Sequence, residues 1–99
     1  MSDDYVLRPD ALRDLENIWW FGAQTWSPDQ ADRYSAEILD ALSELAAGRR
    51  RLARGSASSR FEILRVGSHH VYLRRSGDTI DVVRILHQAQ DPARHLPTG

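Results

Sequence analysis

Four residues, Ser27-Pro28-Asp29-Gln30, divide a long stretch of helical spacing in two and so dictate how the first half of this chain can fold. Ser27 can cap a helix, Pro28 fits a first turn where its missing N–H costs nothing, and Gln30 completes a capping box. Before the break, Pro9 opens a helix in the same way, with Asp10 set against the macrodipole. Leu12, Leu15, Trp19, Ala23 and Trp26 then recur at i, i+3, i+4 spacing. After the break, Ala31, Tyr34, Ile38, Leu42 and Leu45 form a second stripe that runs to Gly48, a natural left-handed stop. The spacing predicts helices over 9–26 and from 28 to near 48. With almost no connection between them, they should form an antiparallel hairpin.

Strand signals flank this hairpin. Residues 5–8 (Tyr-Val-Leu-Arg) suit a short strand, and residues 48–59 make a basic loop rich in Gly and Ser. Strands are expected over 61–66, 70–75 and 79–87, joined at Gly67-Ser68 and Ser76-Gly77-Asp78. They form an antiparallel meander whose last strand, the longest and most apolar, belongs at the centre. The order β-α-α-β-β-β predicts an α+β fold, one domain over 1–99, with the helical hairpin packed on one face of an antiparallel sheet.

Ninety-nine residues suffice for one core and not for two. There is no cysteine, which excludes disulfides and thiolate chemistry and favours the cytosol. The acidic start is followed by no apolar run, so neither a signal peptide nor a membrane span is expected. All thirteen basic side chains are Arg, and their distribution is uneven. Residues 1–47 hold three Arg against ten acids, and residues 48–99 hold ten Arg against four. A basic half-surface implies an anionic partner or an acidic target.

The stretch 84–96, in which the apolar strand 80–86 opens into a polar tail, bears two Arg and two His around Asp91-Pro92. That places titratable and anion-binding groups at the rim of a sheet. His69 and His70 are adjacent and point to opposite faces of a strand, so they cannot share an ion. His87 and His95 could converge with Asp91, but no ligand spacing supports a metal, and no nucleotide fingerprint or nucleophile elbow is present. No metal or cofactor is expected. Arg65, Arg74, Arg84, His87, Arg94 and His95 are the groups available for function. They suit a metal-free RNase, with Arg on the phosphate and His moving protons, or a surface that docks on a protein target. For Arg84, inside the most apolar strand, a structural ion pair competes equally. Among the aromatics, Trp19 and Trp26 are expected in the core, Phe21 under the second helix, and Trp20 exposed for a partner.

The block Arg84-Ile85-Leu86-His87, Asp91, Arg94-His95-Leu96 resembles the C-terminal signature of ParE-type toxins of the RelE/ParE superfamily. The first helix adds Ala11, Asp14, Leu15, Ile18 and Trp19, and the second adds Ala31, Tyr34, Leu42, Leu45 and Ala46. Arg65, Gly67, His69, Val71 and Tyr72 match the family's hairpin. The resemblance implies the toxin of a type II toxin–antitoxin pair, neutralised by a ParD-like ribbon-helix-helix antitoxin. DNA would then be reached only indirectly, through that antitoxin. It further implies inhibition of DNA gyrase; the relatives that cleave mRNA on the ribosome supply the alternative, and a protein that only binds its antitoxin is a third. Three features favour the non-enzymatic branch: the absence of Lys, the lack of an aromatic after His95, and acidic helices that would repel ribosomal RNA. Candidate antitoxin contacts are Trp20, Tyr34, Arg74 and Arg75.

Overall fold

The structure, a computed structural model, describes residues 4–52 and 60–97. In chain order the elements are β1 (Tyr5–Leu7), α1 (Pro9–Thr25), α2 (Pro28–Ala46), β2 (Glu62–Val66), β3 (His69–Ser76), β4 (Thr79–His87) and a single turn, α3 (Pro92–His95). Residues 53–59 of the expected basic loop lie outside the described residues.

The helices start and stop where local chemistry tells them to. Ser27 Oγ accepts the Gln30 N–H at 3.1 Å, satisfying one of the free donors of the first turn of α2. At the other end, the Arg49 N–H donates to Glu44 O and the Gly48 N–H to Leu45 O. With Gly48 at φ +78°, this pair of bonds is a Schellman closure. The two helices pack closely at Gly22, where a Cβ would stand 3.4 Å from that of Ala31.

β2, β3 and β4 form the expected antiparallel meander, closed by two-residue turns at Gly67-Ser68 and Gly77-Asp78. The sheet is nonetheless mixed. Its order is β1-β4-β3-β2, and β1 lies parallel to β4, pairing Tyr5 with Ile80 and Leu7 with Val82. An isolated meander would have put β3 in the middle. β1 makes β4 an inner strand over Ile80–Val82, where its backbone is paired on both sides.

A bulge decides which way the end of β4 faces. Tyr72 pairs with Arg84 while Leu73 pairs with Val82, so Val83 is the extra residue. Simple alternation from Ile80 would turn Ile85 and His87 away from the helices. The bulge turns Ile85 into the helix-side core and sends Leu86 to join Val83 on the other face. The main core joins Leu15, Ile38 and Leu42 of the helices to Leu64, Val71, Leu73 and Val82 of the sheet. Each such side chain contributes about 1.5–3 kcal/mol on burial. A smaller cluster, Phe61, Tyr72, Val83 and Leu86, fills the opposite face, where Leu96 packs on it.

Candidate functional site

A groove of about 590 Å³ opens between the helical hairpin and the exposed end of the β3–β4 ladder. Ile18 and Phe21 of α1, Trp26 at the helix junction and Ile85 of β4 give it apolar walls. Asn17, Ser68, His69, His87 and Gln90 supply a polar end, with Tyr34 at the floor.

Each polar group is held by its own local device. Gly67 has φ +56°, and a Cβ there would lie 2.6 Å from Tyr34 Cε1, so only glycine lets the turn sit on the tyrosine ring. The Tyr34 hydroxyl accepts the Ser68 N–H at 3.1 Å and shares a 2.6 Å hydrogen bond with His69 Nδ1. The Val66 carbonyl lies 3.2 Å from the same hydroxyl as a second acceptor. The His87 ring meets His69 edge-on at 5.4 Å, and its Nδ1 accepts the Ala89 N–H. Burial pushes the His69 pKa down, helped by the neighbouring charges of His87 and His70. Burial also raises Tyr34, against the Ser68 N–H that favours its anion.

Beside the groove, Asp14 closes the edge of β4 beyond β1. Its carboxylate accepts two bonds from Arg84, at 2.7 Å from Nε and 2.9 Å from Nη2, and a third from the Ile85 N–H at 2.9 Å. Arg84 Nη1 donates to His95 O at 2.9 Å, pinning the C-terminal turn. The Arg84 pKa is raised by its hydrogen bond to Asp14.

The six residues expected at a target surface are not brought together. His87 is in the groove, on the helix side of the sheet. Arg65 and Arg74 stand on the opposite face, with Arg74 over the Phe61 ring at 5.0 Å and Arg65 across the ladder from His70. Arg84 is engaged by Asp14, and His95 offers Arg84 its backbone carbonyl. Arg94 is exposed on α3, 3.9 Å from Asp91. His87 packs on His69, and no metal-binding group of three acidic or imidazole side chains forms among the described residues.

Of the residues expected at an antitoxin surface, Tyr34 is in the groove, Trp20 stands outside it at 60% exposure, and Arg75 is tied to Glu62 at 2.7 Å. Three aromatic and aliphatic placements need correction. Phe21 is 65% exposed, not covered by α2, because α2 settles against Gly22 instead. Trp26 is 61% exposed, since it caps α1 beyond the last helical turn and so leaves the inner stripe. Leu12, expected on that stripe, is 47% exposed. Neither His69 nor Asp14 was among the candidate site residues read from the sequence. A lone carboxylate among Ala11, Leu15 and Ile18 was the available signal for Asp14, because a charge on a buried stripe demands a cation.

Comparison with known proteins agrees with this architecture. The family model for the ParE toxin of the type II toxin–antitoxin system parDE matches residues 5–92. Toxin ParE1 of Mycobacterium tuberculosis (strain ATCC 25618 / H37Rv) is 40% identical over 97% of this chain and 100% of its own length. Toxin ParE1 of Caulobacter vibrioides is 32% identical, covering 93% of this chain and 96% of the relative. A solved structure described as the chromosomal ParDE TA system from P. aeruginosa shares the fold with a TM-score of 0.72 at 18% identity, over 88% of this chain and 98% of that one. With its strand-framed helical hairpin and a family match across almost its whole length, this chain belongs to the ParE toxin family of type II toxin–antitoxin systems.

Proposed function

We propose that the chain acts by binding a protein target, DNA gyrase, and so blocks replication without cutting a bond. In this reading a ParD-like ribbon-helix-helix antitoxin neutralises it by laying apolar anchors of its C-terminal segment into the groove between the hairpin and the sheet. The toxin works in the cytoplasm, needs no cofactor, and meets DNA only through its antitoxin.

One observation carries the choice of binding over RNA cleavage: none of the described residues lining the groove is an Arg, and nearby Arg84 is closed off by Asp14. Phosphodiester cleavage without a metal needs cations aimed at the developing charge. The imidazoles of the groove stand among apolar walls and hydrogen-bond to a tyrosine and a backbone N–H. Such a surface suits side chains of a partner that folds as it binds. The relatives' membership of a ParDE system supports an antitoxin as that partner.

The test is amide hydrogen exchange on the chain alone and in complex with its co-expressed antitoxin. Protection gathered on Ile18–Trp26, Ser68-His69 and Ile85–Gln90 is the expected result. Protection confined to the opposite sheet face, around Arg65 and Arg74, would move the antitoxin there and leave the groove for the target.

A further inference from the structure

The groove floor holds a titratable group whose charge state the occupant must decide. His69 is half-buried between Tyr34 of α2 and His87 of β4, beneath walls made by Ile18, Phe21 and Trp26. Resting on the assignment of the groove to the antitoxin, we propose that His69 makes docking proton-sensitive, so that the groove holds its partner when this imidazole is neutral and loosens its hold when it is protonated.

The floor is built so that the open groove tolerates either state. The Tyr34 hydroxyl has one proton and two acceptors in reach, His69 Nδ1 at 2.6 Å and Val66 O at 3.2 Å. It donates to an unprotonated Nδ1. When Nδ1 carries a proton, the hydroxyl turns its own proton to the Val66 carbonyl and accepts from the imidazole. No heavy atom has to move. Tyr34 is thus a two-position switch that leaves the cost of protonation to the surroundings.

Among the described residues, the groove lining offers no free counter-charge. Asp14 of α1 also lines the groove, but its two oxygens serve Arg84 and the Ile85 N–H, and the pair is neutral as a whole. Glu37 of α2 acts on Tyr34, whereas the charges that act on His69 are those of His87 and His70. His70 of β3 and His87 of β4 oppose any charge on His69. An apolar segment laid over Ile18, Phe21 and Trp26 removes water, the main remaining stabiliser of an imidazolium. Covering the groove therefore lowers the His69 pKa further, and the bound state excludes the proton.

The direction follows from linkage. Affinity is flat above the pKa of the open groove, which lies below the ordinary 6.5, and weakens as pH falls through it. The limit for one excluded proton is about tenfold per pH unit.

The experiment is isothermal titration of the co-expressed antitoxin into the chain between pH 7.5 and pH 5, for the wild type and for His69→Asn. Asparagine keeps a hydrogen-bonding partner for Tyr34 and cannot titrate. Weakening of several-fold or more in the wild type, with a flatter profile in His69→Asn, is expected. Equal slopes in both would overturn the proposal. Phe21→Ala and Trp26→Ala, titrated at pH 7.5, separate the two readings. If they leave affinity unchanged, the groove is not the antitoxin site and the underlying assignment fails. If they weaken binding while the slopes stay equal, only the proton coupling fails. Imidazole proton shifts of His69, followed by NMR in the free and bound chain, give an independent readout, and a bound pKa at or above the free one would also overturn it.

Discussion

Asp14 shares a helical stripe with Ala11, Leu15 and Ile18, a place where a carboxylate is costly unless a cation meets it. Arg84 poses the converse problem within β4, and each answers the other. This pair was half legible in the sequence: each charge was out of place on its own element, but only the fold shows that they are 2.7 Å apart. Removing Asp14 strands both Arg84 and the Ile85 N–H. Asp14→Ala is therefore expected to cost about 2–4 kcal/mol in urea unfolding, and Asp14→Asn less, since it keeps an acceptor. Gly67→Ala should cost about 1–3 kcal/mol, because its φ is positive and the new Cβ would strike Tyr34. His69 adds a pH dependence to folding itself. Its pKa is lowered in the fold, so the unfolded chain binds more protons as pH drops below about 6.5. Stability is then full above that value and declines as pH falls through the lowered one; unfolding midpoints from pH 7.5 to 5 should fall less in His69→Asn than in wild type.

At the scale of elements, what the sequence revealed was whatever local chemistry decides. Pro9, Ser27-Pro28 and Gly48 set the helix ends to within two residues, because caps and left-handed stops act on neighbouring backbone groups. Strand β4 was placed over Thr79–His87 for a similar reason, being bounded by a turn and a polar exit. What escaped were non-local choices. The parallel pairing of β1 with β4 joins residues at opposite ends of the chain, and the bulge at Val83 leaves no mark in the apolar pattern. That bulge turns His87 toward His69, so the groove itself was not readable from alternation. The outer aromatics of α1 were read in part: Trp20 is exposed as expected, Phe21 and Trp26 unexpectedly so. Trp20 lies edge-on to Trp19 at 5.2 Å, and Trp19 Nε1 donates to Asp32 Oδ1 at 2.7 Å, which fixes the pair on the hairpin. If this patch extends the antitoxin surface, Trp20→Ala should weaken binding about tenfold with the melting temperature nearly unchanged. Unaltered affinity would remove Trp20 from the interface.

Across the whole molecule, charge is sorted by layer. The two helices carry eight acidic residues against two Arg, while Arg65 and Arg74 face outward from the other side of the sheet. A partner with an acidic segment is drawn to the sheet face and turned away from the hairpin, which sets its orientation before contact. Association with the antitoxin should therefore slow by roughly tenfold as ionic strength rises from about 0.05 to 0.5 M, with dissociation changing far less. Rates insensitive to salt would assign the charge asymmetry no part in recognition. The same sorting leaves the acidic hairpin a poor surface for RNA and gives the groove no Arg for phosphate among the described residues, which is why a protein target is favoured. The most direct test of that claim is a supercoiling assay with purified gyrase, ATP and relaxed plasmid, adding the folded chain freed from its antitoxin. Blocked supercoiling or trapped, cleaved plasmid is the predicted result. Normal supercoiling, with mRNA cleaved when the same preparation is added to translating ribosomes, would contradict it.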